Sequence, residues 1–142
     1  MTFDILLKNL RIEDDELELS WRGIDLLARS AVAEMSITVT GKEYDFGVVA
    51  PLTCLSEMAG AIHECDLFPQ TSSQKFSLPH TAREWRLKKV DDLYEYELSG
   101  PFLGMPIIVH EREFRRSVYR ALSQIATAYT RRTSGKTPKC SH

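Results

Sequence analysis

Residues 31–40 constrain the fold more than any other part of the chain, because hydrophobic and polar residues alternate there without interruption. One face would carry Ala33, Met35, Ile37 and Val39, and the other Glu34, Ser36, Thr38 and Thr40. Period-two alternation is typical of a β-strand that buries one face and exposes the other. Gly41-Lys42 follows, and a two-residue loop with glycine first predicts a hairpin with a type II′ turn. The returning strand would run through 43–49.

Similar alternation predicts further strands on both sides of this hairpin. These strands are expected at 3–10, 16–21, 85–90, 94–98 and 105–110. The last three follow one another closely enough to form a meander. Tyr94 and Tyr96 occupy alternate positions in the middle strand of the meander, so both rings are expected to be buried.

Two segments show the three- and four-residue spacing of hydrophobic residues that predicts a helix. Pro51 is expected to open the first helix, because proline at the first helical position loses no hydrogen bond. This helix would end before Phe68-Pro69. The second helix is predicted from Glu111 to about Arg132, with acidic residues in its first turn and arginines in its last turn. A glycine and a proline beyond Arg132 are expected to prevent its continuation.

Strands, a helix, further strands and a final helix succeed one another without regular βαβ alternation, which favours an α+β fold. We expect a mostly antiparallel sheet of about six to seven strands with two main helices packed on it. The chain has 142 residues, the usual size of one domain. Residues 1–132 are therefore predicted to form a single α+β domain, and 133–142 a flexible basic C-terminal tail.

Charge is distributed unevenly along the chain. Residues 131–142 hold four basic and no acidic residues, so the net charge of −2 divides into +4 on this segment and −6 on 1–130. An acidic body makes nucleic acid an unlikely ligand and favours a basic partner. The candidate partner-binding residues are the acidic ones near two predicted turns: Glu13, Asp14, Asp15, Glu16, Glu18, Asp91, Asp92, Glu95 and Glu97. The same acids would also keep strand edges soluble.

The sequence contains no catalytic constellation or phosphate-binding loop that we can identify. His63-Glu64-Cys65-Asp66 is the densest group of metal-ligand types, but no second ligand pair accompanies it. On a helix, His63 and Cys65 would also point in nearly opposite directions. We therefore expect no metal, no cofactor and no catalytic residue. His110, followed by two glutamates at a helix start, is the residue that an enzyme would most plausibly use.

The predicted compartment is the reducing cytoplasm. The chain has three cysteines, and an odd number without a signal sequence argues against a disulfide framework. Asp4 and Lys8 interrupt the N-terminal segment where a signal peptide would need an apolar core. The longest apolar runs are far shorter than the roughly 20 residues that a membrane-spanning helix requires, so no membrane association is expected.

The order and spacing of several short segments resemble a known group of proteins. These segments are Tyr44-Asp45-Phe46, Leu52-x-x-Leu55, Phe76-Ser77-Leu78, Trp85-Arg86-Leu87 and the hydrophobic row from Phe114 to Tyr129. Over about residues 30–130 the layout is similar to small bacterial immunity proteins of contact-dependent growth inhibition and other polymorphic toxin systems. The resemblance implies a protein that neutralises a cognate toxin by direct contact, and the acidic body suits a basic nuclease toxin.

Two alternatives remain open at this point. Arg112, Arg116 and Arg120 lie four residues apart on the last predicted helix and would form one basic face. This face suits a nucleic-acid or regulatory adaptor. The second alternative is a small enzyme that uses His110.

Overall fold

The computed structural model describes residues 3–13, 28–45, 50–67, 74–77, 84–90, 94–100 and 103–140, with side chains placed except at 50–51 and 132–140. The elements are, in chain order, β1 (Phe3–Ile12), β2 (Ala31–Val39), β3 (Lys42–Asp45), β4 (Ala50–Pro51), α1 (Thr53–Leu67), β5 (Gln74–Ser77), β6 (Glu84–Lys89), β7 (Glu95–Ser99), β8 (Ile107–His110) and α2 (Glu111–Cys140). The strand predicted at 16–21 lies outside the described residues.

The described strands form two four-stranded antiparallel sheets. In the first sheet, β2 pairs with β1 along one edge and with β3 and the two-residue β4 along the other. The second sheet is the meander β5-β6-β7-β8. The α+β class and the antiparallel pairing are as predicted, but the expectation of one sheet of six to seven strands is wrong. Helix α1 lies between the two strand groups in the chain: β1 to β4 precede it, and β5 to β8 follow it.

Helix α2 fills the space between the sheets and joins their cores. The Phe114 ring lies 4.7 Å from the Phe3 ring of the first sheet, measured between centroids. It also lies 5.7 Å from the Tyr96 ring and 6.3 Å from the Phe76 ring of the second sheet. All four rings are buried. One side chain of α2 therefore packs against both sheets, which explains why two separate sheets form one body.

The hairpin between β2 and β3 uses a different turn from the predicted one. Val39 pairs with Lys42, so the loop is Thr40-Gly41 rather than Gly41-Lys42. Both loop residues have positive φ, 49° at Thr40 and 88° at Gly41. Two positive φ values define a type I′ turn, whose twist matches that of the flanking strands. Glycine takes the second position, and the β-branched Thr40 carries the strain of the first.

Helix α1 buries hydrophobic residues at the three- and four-residue spacing that predicted it. Its buried residues are Cys54, Leu55, Met58, Ala59, Ala61, Ile62 and Cys65. Pro51 was predicted to open the helix, and this prediction is wrong. Pro51 instead pairs with Val32 in the first sheet. The helix starts at Thr53, after the Leu52 N–H has bonded to the Ala31 carbonyl at 3.2 Å.

Strand β5 was not predicted from the sequence, because Phe76 is its only hydrophobic residue. Helix α2 begins at Glu111 as predicted, but its helical backbone continues past Arg132 to Cys140. The glycine and proline beyond Arg132 therefore do not end it, and flexibility of 133–142 stays a prediction. Within the described residues, no helix is long and apolar enough to cross a membrane.

Candidate functional site

A groove of about 590 Å³ lies where β8 meets α2. We call it the arginine–tyrosine groove, and it is lined by Tyr94, His110, Glu111, Arg112, Arg115, Arg116 and Tyr119. Two backbone features bring these residues together. Glu95, which follows Tyr94, pairs with His110 across the β7–β8 ladder. The Glu111 N–H donates to the Tyr94 carbonyl at 3.0 Å, which ties the helix start to the strand.

His110 caps α2 with its side chain. The Arg112 N–H donates to the His110 Nδ1 at 3.1 Å, which satisfies one of the unpaired donors in the first helical turn. Since Nδ1 must accept this bond, a neutral imidazole carries its proton on Nε2. The exposed side of the ring therefore presents an N–H donor. In this tautomer Nε2 has no lone pair with which to act as a general base.

Arg115 is held in a network of ion pairs that links three elements. Its guanidinium contacts Asp66 at the end of α1 and Glu111 one turn earlier in α2. The Lys89 Nζ of β6 lies 2.8 Å from the other Glu111 carboxylate oxygen. The Lys89 and Glu111 side chains are mostly buried, so water and salt screen their interaction less than an exposed pair. This network fixes the position of α2 against the second sheet.

The Tyr96 hydroxyl lies beneath this network and belongs to a fully buried residue. Burial raises its pKa, and the positive charge of Arg115 opposes part of that effect. The two side chains interact electrostatically, but their geometry falls short of a hydrogen bond. Tyr96 is therefore neutral at physiological pH.

The other two arginines of the groove are more available to bind a ligand than Arg115. Arg112 is exposed and forms no ion pair with any described residue. Arg116 makes only a 3.6 Å contact with Glu113, and its side chain is 58% exposed. Exposed pairs of this kind contribute little. Tyr94 and Tyr119 line the same groove and are 75% and 42% exposed. The expected burial of Tyr96 is confirmed, whereas that of Tyr94 is wrong, because Tyr94 lies in the bend before β7.

The structure describes three of the nine predicted partner-binding residues. Glu95 and Glu97 share the outer face of the second sheet, and Glu97 lies opposite Lys88. Glu13 follows β1 in the other sheet and pairs with Arg11 at 3.4 Å. The remaining six lie outside the described residues: Asp14, Asp15, Glu16, Glu18, Asp91 and Asp92.

The other sequence candidates are dispersed. Arg120 was predicted to share one basic face with Arg112 and Arg116. Its guanidinium instead forms an ion pair with Asp4 of β1. His63 is exposed, whereas Cys65 is buried with its thiol 3.8 Å from the Leu87 carbonyl. Among the described residues, no three histidine, cysteine or acidic side chains form a group that could hold a metal ion.

Sequence reasoning missed the groove itself, although part of its signal was present. Arg112, Arg115, Arg116 and Tyr119 follow the i, i+3, i+4, i+7 pattern of one helix face. Nothing in the sequence indicated that Tyr94 would join that face. Comparison with models of protein families, with curated proteins and with solved structures found no match for this chain.

Proposed function

We propose that this protein is a bacterial cytoplasmic immunity protein that binds and neutralises a cognate toxin domain by direct contact, without catalysis. The observation that carries the proposal is the exposed Tyr94 beside Glu95, at the edge of a sheet face that no described residue fully covers. Tyrosine is enriched among the residues that dominate protein interfaces, because its ring buries a large apolar area and its hydroxyl stays polar.

The proposed binding surface is the outer face of the second sheet, which we call the open sheet face. It carries Tyr94 at its edge together with Lys75, Glu84, Arg86, Lys88, Glu95, Glu97, Ile108 and His110. Charges of both signs alternate on it, and the ion pairs of Glu84 with Lys75 and Arg86 are exposed and long, at 3.6 and 3.9 Å. Such pairs can exchange partners at little cost, which suits a mixed-charge protein surface better than a phosphate backbone.

The state of His110 supports a binding role over an enzymatic one. A general base must accept a proton, but the Nδ1 of His110 is already bonded to the Arg112 N–H at 3.1 Å. Its ring serves as a helix cap and a donor in this arrangement. Binding requires no further chemical step, whereas action of His110 as a general base would require the cap to open.

Affinity capture from native cells tests the proposal. The tagged full-length protein should retain one stoichiometric protein, a basic toxin domain, and co-expression should protect cells from that toxin. Tyr94→Ala should weaken binding by roughly 30-fold, the loss expected for an interface hot spot. Tyr119→Ala is the matched control, because Tyr119 is an exposed tyrosine that lines the same groove as Tyr94 but belongs to α2 and not to the open sheet face.

Charge substitutions give a second, kinetic test. Replacing Glu95 and Glu97 together by glutamine should slow association with a basic partner and reduce its salt dependence. Glu43→Gln is the control, because Glu43 is exposed on β3 of the other sheet. Capture of no protein, or equal losses in the test and control variants, would refute this function.

A nucleic-acid adaptor is the second candidate, and the composition of α2 favours it. Residues 111–140 contain eight lysines and arginines but only two acidic residues. The rest of the chain contains ten lysines and arginines and 18 acidic residues. The positive charge is therefore concentrated on one element. This function predicts binding of a single-stranded oligonucleotide that weakens at least about tenfold between 50 and 200 mM salt. Fluorescence anisotropy at the two salt concentrations distinguishes it from the immunity function.

A further inference from the structure

We propose that the arginine–tyrosine groove is a binding site for a small phosphate monoester that carries an aromatic ring, such as a nucleoside monophosphate. The groove of about 590 Å³ falls within the range of roughly 300–1,000 Å³ that is usual for small-molecule sites. The proposal goes beyond partner binding: the groove shares Tyr94 and His110 with the open sheet face, but its two phosphate-binding arginines and Tyr119 lie on α2.

Arg112 and Arg116 supply the phosphate-binding end of the site. They lie one helical turn apart, so their side chains project from the same face of α2. Arg112 has no ion-pair partner among the described residues, and Arg116 has only the weak 3.6 Å contact with Glu113. A guanidinium presents a planar pair of donors that matches two phosphate oxygens. Neither arginine must break a buried contact in order to bind.

Arg115 and His110 have different roles in the same groove. Arg115 is already neutralised by Asp66 and Glu111, so it shapes the groove and contributes little net positive charge. His110 is oriented by its cap to the Arg112 N–H, and its Nε2–H remains as a donor for an oxygen of the ligand. The site thus offers two exposed cations and one oriented N–H donor, which suits a single phosphate group.

Tyr94 and Tyr119 supply surfaces for the aromatic ring. They are two of the large hydrophobic or aromatic side chains that the described structure leaves most exposed, at 75% and 42%. Both line the groove that contains the arginines. Stacking of a base on an aromatic side chain contributes about 1–3 kcal/mol. Phosphate and ring recognition within one groove therefore distinguishes an aryl or nucleoside phosphate from inorganic phosphate.

The neighbouring acids argue for a single phosphate and against a polynucleotide. Glu113 lies in the same helical turn as Arg112, and Glu95 lies opposite His110 in the sheet. A strand of repeated phosphates leaving the groove would meet these carboxylates. Arg120, the next arginine along α2, contacts Asp4 and does not extend the cationic surface.

Calorimetric titration of the full-length protein tests the site with three probes: adenosine 5′-monophosphate, adenosine and inorganic phosphate. The monophosphate should bind at least about tenfold more tightly than either part alone, because only it uses both ends of the groove. Amide chemical-shift changes on adding the monophosphate should centre on residues 110–119. Equal affinity for the monophosphate and inorganic phosphate, or no binding of any probe, would overturn the proposal.

Variants then assign the binding to this groove. Arg112→Gln, Arg116→Gln and Tyr119→Leu should each weaken monophosphate binding at least about fivefold, with the melting temperature unchanged in the two arginine variants. Arg86→Gln, an exposed arginine on the open sheet face, should have no effect. Equal losses in Arg112→Gln and Arg86→Gln would contradict the assignment. An oligonucleotide that binds far more tightly through the same residues would overturn it in favour of the adaptor function. Toxin binding is tested at Glu95 and Glu97, and monophosphate binding at Arg112 and Arg116; the two tests share no residue, so the two proposals fail separately.

Discussion

Gly100 is the position where the smallest side-chain addition should cost the most. It follows β7 and lies against the indole ring of Trp85, which is buried in the second sheet. A Cβ built on Gly100 would lie 2.6 Å from Trp85 Cε3 and 2.8 Å from Cε2, and closer still to Cδ2. Non-bonded carbon atoms prefer a separation of about 3.5–4.0 Å. Its φ is not in the left-handed region, so the predicted effect of alanine comes from the collision alone.

The magnitude follows from what must move. Indole is rigid, and the Trp85 ring is stacked on Phe76 with centroids 6.4 Å apart, so it cannot rotate away without disturbing the core. Overpacking of a core costs about 1–3 kcal/mol, and the close contact to three ring atoms places Gly100→Ala near the upper limit. For a domain of this size, about 2–3 kcal/mol corresponds to a fall of roughly 7–10 °C in melting temperature.

Urea denaturation of four variants tests this reasoning. Gly60→Ala is the matched control: Gly60 is exposed within α1 and has nothing within 4 Å of its Cβ position, so alanine should stabilise by about 0.5–1 kcal/mol. In a Trp85→Phe background, the smaller ring should reduce the cost of Gly100→Ala by at least about 1 kcal/mol. Additive free energies in the double variant, or a loss below about 0.5 kcal/mol in Gly100→Ala, would refute the collision.

Three further predictions concern stability. Thr40→Asn should stabilise the fold by about 0.5–1 kcal/mol in urea denaturation, because asparagine tolerates the positive φ of 49° better than threonine; an unchanged midpoint would contradict this. Ser117→Ala should cost about 1–2 kcal/mol, since its buried hydroxyl lies 2.6 Å from a β1 carbonyl, whereas Ser123→Ala on the exposed face should cost almost nothing. Burial raises the pKa of Cys54 to about 12 and that of Cys65 to about 11, from 9.0. Unfolding releases those protons, so the free energy of unfolding should fall between about pH 9 and pH 11 for Cys65, and between about pH 9 and pH 12 for Cys54. The slope should reach about 1.4 kcal/mol per pH unit for each thiol, and alanine at either position should flatten it.

The sequence predicts those elements whose hydrophobic pattern is strong and local. The alternation through Met35 and Ile37 correctly predicted β2, and the helical rows around Leu55 and Met58 correctly predicted the buried faces of α1. Strand β5 has one hydrophobic residue and therefore no period to detect. Its pairing with β6 places Phe76 opposite Trp85, a contact that only the tertiary structure supplies.

The turn and helix boundaries were less predictable because they depend on pairing partners. Lys42 was placed in the turn by its position after glycine, but its pairing with Val39 makes it the first residue of β3. Pro51 has the φ that suits a helix start, yet it continues the first sheet because Val32 offers a partner. In both cases the local preference permits two structures, and a contact with a residue elsewhere in the chain selects one.

The charge of the candidate site also depends on contacts between residues that are distant in the sequence. The division of the sequence into an acidic body and a basic tail led to the prediction that a partner would be basic, but that division follows chain position and not the surface. In the folded chain, Arg115 is neutralised by Asp66, which is 49 residues away in sequence, whereas Arg112 keeps its full charge because no described acid reaches it. An exposed cation in one groove with two exposed tyrosines can therefore coexist with a net charge of −2. Electrostatic recognition acts over about 10 Å or less at physiological salt, so the charges of a single face determine which ligand it selects, and the net charge of the chain chiefly affects solubility and long-range attraction.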